Sequence, residues 1–190
     1  PFYNTFANHL AKKAGYETVC CGKLHHTGAD QMQGWTRRIG GDTQTGVKSI
    51  YAPTAASQRW TTAKEIQRAG AGKHRHTVDD EYAVLGAKNF IKEYFCSPYY
   101  DKQKKDVPLL LKVSQTRPHY PYLTTEEKFC YYLNRVQPYL EQSLSNHSVL
   151  DRKRIDVGSD VSERDVVRAT AAYYGMIEEA DESIGEVLQS

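Results

Sequence analysis

Two short stretches of this sequence carry side chains that could bind an anion and move a proton. Lys23 and His25 follow the apolar and β-branched run 16–21 across one glycine, Gly22. A fixed positive charge beside an imidazole, just past the end of a strand, is suited to hold an anion and to supply a proton. Alternate residues of an extended segment share a face, so Lys23 and His25 are expected on the same side. In isolation, the same residues are compatible with a solvated surface loop.

The second stretch surrounds His119, which lies between Pro118 and Pro121. It follows the nearly continuous apolar run 107–113, which is typical of a strand buried on both faces of a parallel sheet. The two prolines restrict the backbone of the loop that carries the imidazole. Because ligands of such sheets bind at the carboxyl ends of the strands, the sequence predicts that His119 converges with the lysine and histidine of the first stretch.

Hydrophobic periodicity places helices around these two strands. Helices are predicted over 5–14, over about 79–95, over about 124–132 and from Ser162 to the end of the chain. The last three begin with a capping-box pattern: Thr77-x-x-Asp80, Thr124-x-x-Glu127 and Ser162-x-x-Asp165. The order helix, strand, loop, helix, strand, loop, helix predicts an α/β fold with a largely parallel sheet flanked by helices.

The long last helix is expected to be structural. Its apolar residues recur every three or four positions from Val166 to Val187, which is typical of a helix with one buried face. Its acidic residues fall largely outside that stripe: Glu178, Glu179, Asp181 and Glu182.

Composition describes a globular protein with an uneven charge. The 190 residues have a net charge of +2 and a mean hydropathy of −0.66, and no apolar run is long enough to cross a bilayer. Residues 1–76 hold 11 Lys/Arg against 4 Asp/Glu, whereas residues 77–190 hold 14 against 19. The basic part favours an anionic substrate or a nucleic acid, but pairing with the acidic part explains it equally well.

Cysteine and histidine patterns give only weak signals. The four cysteines are predicted to be buried free thiols, with Cys20 and Cys21 on opposite faces of a strand. His74-x-His76 could contribute to a metal site, but two histidines without further ligands favour a solvated basic loop. No metal ligand is therefore predicted within this chain.

Three motifs together resemble the sulfatase family of the alkaline-phosphatase superfamily. Residues 10–25 (LAKKAGYETVCCGKLH) are similar to the family's helix, its AGY-x-T strand and its GK-x-H motif. Residues 117–122 (RPHYPY) resemble the family's PH-x-P-[FY] loop. Residues 172–188 resemble the helix that follows that loop. Residues 30–35 (DQMQGW) are closer to the choline-sulfatase-like and arylsulfatase branch. The resemblance implies an alkaline-phosphatase-like α/β fold, of which this chain would be a partial domain.

Family membership would imply a role for each matched residue. Lys23 would contact the sulfate, His25 would bind substrate and assist release of sulfate from the covalent intermediate, and His119 would contact the ester and protonate the leaving oxygen. The family uses a formylglycine nucleophile beside a calcium ion. The implied partner is a small sulfated molecule such as choline sulfate or an aryl or sugar sulfate. No nucleic acid or membrane is implied, an oligomer is possible, and the compartment stays open.

The sequence also departs from the family pattern. It lacks the C/S-x-P-S/A-R motif that carries the nucleophile, so the formylglycine and the calcium ligands are expected outside this chain. Residues 1–190 are therefore expected to be an internal part of one sulfatase catalytic domain, inactive alone. Two alternatives remain open: a phosphodiesterase or phosphonate monoester hydrolase of the same superfamily, and a non-catalytic module that binds anions or nucleic acid.

Overall fold

The structure, a computed structural model, describes residues 5–24, 30–40, 62–96, 107–138 and 155–190. These residues form five helices: α1 (Phe6–Ala14), α2 (Thr62–Gln67), α3 (Arg75–Cys96), α4 (Glu126–Leu133) and α5 (Glu163–Leu188). They also form five strands: β1 (Glu17–Gly22), β2 (Arg37–Ile39), β3 (Gly70–Ala71), β4 (Leu109–Ser114) and β5 (Leu123–Thr124). No helix in the described ranges is long and apolar enough to cross a membrane.

The chain divides into two compact units. The first comprises Pro1–Ala56, Arg75–Thr116 and Glu182–Ser190, and the second comprises Ser57–His74 and Arg117–Asp181. Strands β1, β2 and β4 belong to the first unit, and strands β3 and β5 belong to the second.

A three-stranded parallel sheet forms the centre of the first unit. β1 lies between β2 and β4, and it pairs with β4 in parallel from Glu17↔Leu109 to Gly22↔Ser114. The two strands predicted from the sequence are therefore neighbours whose carboxyl ends share one edge. β2 was not predicted, because its three residues, two of them arginines, carry no strand pattern. Parallel strands flanked by helices agree with the predicted α/β class.

The two faces of β1 bury different clusters. Val19 and Cys21 pack against α3 at Ala87 and Phe90. Cys20 packs on the other face, with Ala7 of α1 and Trp35.

The predicted alternation of the two adjacent cysteines is confirmed. Burial is the larger cause, and the charge of Cys20 the smaller one, that raises the pKa of Cys21 to about 12. The prediction of buried thiols is wrong for Cys96 and Cys130, which are exposed.

The segment before Trp35 is shaped by its contact with α1. Thr5 caps α1 by accepting from the Asn8 N–H, and its hydroxyl donates to the Gln33 carbonyl at 2.5 Å. Gly34 has a φ of 96°, and a Cβ there would lie 2.5 Å from Cγ of Asn8, so only glycine fits. The 30–35 motif therefore has a packing role: it lets this segment approach α1 and bury Trp35.

The predicted capping box at Thr77 is wrong. α3 begins at Arg75, so Thr77 lies inside the helix. Asp80 is buried, and its carboxylate accepts a hydrogen bond from the Thr116 N–H at 2.5 Å. The acid that resembled a cap therefore holds the backbone just beyond β4.

The second unit contains a small parallel pair, β3 and β5, with α2, α4 and most of α5. Neither strand was predicted, since two residues are too few to show a period. α4 is capped by Thr125, one residue later than predicted, because Thr124 belongs to β5 and faces inward. The capping box of α5 is confirmed, since Ser162 and Asp165 bond reciprocally at 2.7–3.1 Å. These bonds lower the pKa of Asp165.

Candidate active site

Lys23 lies directly beyond the end of β1, at the carboxyl edge of the parallel sheet. Its N–H donates to the Ser114 carbonyl at 3.1 Å, which ties the start of the loop to the end of β4. The preceding Gly22 has a φ of 89°, and a Cβ there would overlap the Ser114 carbonyl oxygen and lie 2.9 Å from the Cβ of Ala83. The glycine is thus required by backbone conformation and by crowding, and it sets where Lys23 leaves the sheet.

His25, the second predicted site residue, lies outside the described residues, as does His26. Leu24 is the last described residue of this loop, and its side chain packs against the cluster of Ala7, Cys20 and Trp35.

His119 is exposed, in a turn that contains the cis peptide bonds Arg117–Pro118 and Tyr120–Pro121. Its ring packs on Tyr120, with centroids 4.0 Å apart. Nδ1 lies 2.8 Å from the Tyr120 carbonyl oxygen, and it must carry the hydrogen because a carbonyl can only accept. The proton that an imidazolium would transfer is therefore the one on Nε2.

Aromatic rings connect this loop to α5. Tyr122 lies edge-on to Tyr120 at 6.5 Å and to Tyr173 at 6.1 Å between centroids. Burial, with the neighbouring Tyr173 hydroxyl, raises the pKa of Tyr122, so this phenol is neutral at physiological pH.

A buried carboxylate lies behind the same loop. Glu179 of α5 is 8% exposed and accepts three hydrogen bonds: from Arg117 Nη1 at 2.8 Å, from Thr124 Oγ1 at 2.6 Å and from the Thr125 N–H at 2.9 Å. The side chain of Arg117 is itself 6% exposed. Glu179, which the sequence places outside the apolar stripe, is therefore a buried ion-pair residue and not part of a solvated acidic face.

The balance of forces on Glu179 favours the ionised form. Burial raises the pKa of the carboxyl, but the hydrogen bonds from Thr124, Thr125 and Arg117, with the charge of Arg117, outweigh burial and hold the pKa below its usual value. Gly175, one turn earlier on the same helix face, makes this possible. A Cβ at that position would lie 2.6 Å from Oγ1 of Thr124, so α5 approaches β5 closely only with glycine there.

The loops that carry Lys23 and His119 were singled out from the sequence, but the groups that hold them were missed. Lys23 is brought to the end of β4 as predicted, whereas the convergence of Lys23 with His119 stays a prediction. Asp80 and Glu179 were missed as loop anchors. The spacing of Gly175 and Glu179, which places them on one helix face, is a sequence signal for the second anchor.

Basic residues of the first unit take part in its own packing. Arg37 lies over the ring of Phe90 at 5.5 Å, and Arg38 donates to the Gln31 carbonyl at 2.7 Å. These contacts give both arginines an intramolecular role, one with an aromatic ring and one with a backbone carbonyl.

The described ranges contain no group of three or more His, Cys, Asp or Glu side chains that could hold a metal ion. His74 and His76 are both half-buried, and neither belongs to such a group.

Similarity to known proteins extends over almost the whole chain. A model of the family described as Sulfatase matches residues 4–190. Choline-sulfatase of Rhizobium meliloti (strain 1021) is 29% identical over 200 aligned residues, which cover 98% of this chain and 38% of that protein. The chain thus spans well under half the length of the relative that it matches. Parallel strands flanked by helices are consistent with the alkaline-phosphatase-like fold of this family.

Proposed function

We propose the following function for this chain, which belongs to the sulfatase family. The chain is an internal part of a catalytic domain that hydrolyses sulfate esters, and it contributes Lys23, His25 and His119 to the site. The observation that supports this most is the end of β1. There, Gly22 and the Lys23–Ser114 hydrogen bond deliver a lysine to the carboxyl edge of a parallel sheet, where such folds bind ligands.

Each of the three residues has a role that its chemistry allows. Lys23 binds the sulfuryl oxygens and stabilises the negative charge that develops on them. His119 donates the Nε2 proton to the leaving oxygen of the ester, with Nδ1 held by the Tyr120 carbonyl. His25, from the GK-x-H motif, binds the substrate and assists release of the sulfate.

The family's calcium ion and formylglycine come from outside this chain. The described residues do not fit a calcium site, since no three acidic or histidine ligands gather among them. No cysteine of the chain lies in a C/S-x-P-S/A-R motif. A formylglycine outside this chain would supply the nucleophile, while Lys23, His25 and His119 bind, orient and protonate.

The substrate class is a small sulfate ester. The name of the Rhizobium meliloti relative, choline-sulfatase, favours choline sulfate among the candidates. A sulfate monoester carries one negative charge on its transferred group, which a single lysine at the sheet edge can balance.

The test uses the complete protein that contains this chain. Release of sulfate from choline sulfate and 4-nitrophenyl sulfate is compared with cleavage of a phosphodiester and a phosphonate monoester. We expect faster cleavage of the sulfates, and we expect Lys23→Ala to lower kcat/KM by about 10²-fold, the usual loss when one charge-stabilising group is removed. Lys12→Ala, at an exposed lysine of α1, is the matched control. Preference for the phosphorus esters, or an active Lys23→Ala variant, would contradict the proposal.

A further inference from the structure

A single buried carboxylate holds both ends of the loop that carries His119. Glu179 binds Arg117, two residues before the histidine, and Thr124 and Thr125, five and six residues after it. All four residues belong to the second unit. Both ends of the segment 117–125 are thus bonded to one side chain.

Stability alone does not explain this arrangement. Taking two charges out of water costs several kcal/mol, and a buried ion pair is often no more stabilising than well-packed apolar side chains of the same size. An apolar residue at position 179 would continue the buried face of α5, which carries Ala172, Gly175 and Met176. The ion pair adds a fixed orientation of its two side chains, because an arginine and a carboxylate bond only in defined geometries.

We propose that Glu179 and Arg117 are positioning residues for His119, which fix the 117–125 loop so that the imidazole is held where the leaving oxygen of the substrate lies. This inference rests on the proposed function. Neither residue touches the substrate, because both side chains are at least nine-tenths buried. They act through the backbone of the loop: Arg117 sets its start, and the two threonines set its end.

One acidic residue beside Glu179 forms its ion pair outside the loop. Glu178, the next residue along α5, pairs with Lys128 at 3.4 Å, and its side chain is 43% exposed. That pair joins α4 to α5, and both of its residues lie outside the segment 117–125. Glu178 is therefore a matched control: the same residue type, on the same helix, in an ion pair outside the loop.

The experiment compares Glu179→Gln, Arg117→Lys and Glu178→Gln in the complete protein. Each variant is assayed with 4-nitrophenyl sulfate, which has a good leaving group, and with phenyl sulfate, which has a poor one. Hydrogen exchange of the segment 117–125 is measured in parallel. Arg117→Lys keeps the charge and is the milder change, so it answers the question if Glu179→Gln does not fold.

We expect Glu179→Gln to reduce kcat for phenyl sulfate about tenfold more than for 4-nitrophenyl sulfate, since misplacement of a catalytic group by about 1 Å can cost about 10²-fold. The KM of Glu179→Gln should change little, and its hydrogen exchange should be faster within residues 117–125. Arg117→Lys should change kcat and hydrogen exchange in the same direction. Glu178→Gln should leave the ratio of the two rates unchanged.

A purely structural role predicts a different result. Folded variants would then lose the same fraction of activity on both sulfates, or exchange in 117–125 would stay at the wild-type rate, and either outcome overturns the proposal. Failure of the proposed function has its own signature, because the wild-type protein would cleave neither sulfate. In that case the exchange data alone decide whether the carboxylate holds the loop.

Discussion

Replacement of Gly22 by alanine should be among the most damaging single-methyl changes in this chain. Gly22 adopts a φ of 89°, and its missing side chain faces the Ser114 carbonyl and the Cβ of Ala83. Both neighbours belong to rigid elements, since Ser114 ends β4 and Ala83 is fully buried in α3. A new methyl group cannot be accommodated by rotation of a flexible side chain, so the sheet and the helix must separate.

The expected loss can be estimated from two contributions. A non-glycine residue with left-handed backbone costs about 1–2 kcal/mol, and an extra methyl group in a packed interior costs about 1–3 kcal/mol. Their sum, about 2–5 kcal/mol, is a large part of the roughly 5–15 kcal/mol that holds a domain folded. Gly15→Ala is the matched control, because Gly15 has a φ of 69° with nothing within 4 Å of the added Cβ. It should cost only the first contribution.

Urea unfolding of the complete protein and the two variants measures this difference, with the free energy of unfolding taken from linear extrapolation at a common m value. We expect Gly22→Ala to be less stable than Gly15→Ala by about 1–3 kcal/mol, the contribution of crowding alone. Gly22→Ala should also lose activity beyond its loss of folded protein, because Lys23 is displaced. Equal stability of the two variants would refute the crowding argument.

Three further outcomes follow from the geometry. Gly175→Ala should lose about 1–3 kcal/mol through its overlap with the β5 side chain, whereas Gly185→Ala, with open space around the Cβ, should gain about 0.5–1 kcal/mol by helix propensity in the same unfolding assay. Because Glu179 has a lowered pKa in the folded state, its stabilising effect is present above the unfolded value of 4.5 and is lost as the pH falls below it; Glu179→Gln should therefore flatten the acid side of the stability–pH curve. A thiol reagent should label Cys96 and Cys130 in the native protein, and the two buried thiols of β1 should react only after unfolding.

The elements with a long hydrophobic pattern were predicted, but the prediction of the buried face of α5 was wrong: Tyr173, Ile177 and Ile184 of the predicted stripe are exposed, whereas Ala172, Met176 and Glu179 are buried. α1, β1, β4 and α5 were all predicted as elements, since each carries an apolar pattern long enough to be recognised. β3 and β5 were missed because two-residue strands are defined by their partner and not by their own sequence.

Hydrogen bonds from a side chain to a segment far away in the sequence were not predicted. Asp80 and Thr124 were read as helix caps, since a Thr-x-x-acid pattern looks the same whether its side chains turn to the helix or away from it. Only the tertiary structure shows that Asp80 bonds to Thr116 and that Thr124 bonds to Glu179. Lys23 and His119 were predicted as site residues from chemistry and from motif, and that assignment stays a prediction. Asp80 and Glu179, which bond to Thr116 and to Arg117, carry no local signature.

The dependence of rate on the leaving group shows whether His119 is the acid of a sulfate-ester hydrolase. Wild-type protein and His119→Ala are compared over a series of aryl sulfates whose phenols differ in pKa. We expect His119→Ala to lose progressively more activity as the leaving group becomes poorer, since a good leaving group needs no proton. The same loss on every member of the series would contradict the assignment of His119 as the acid.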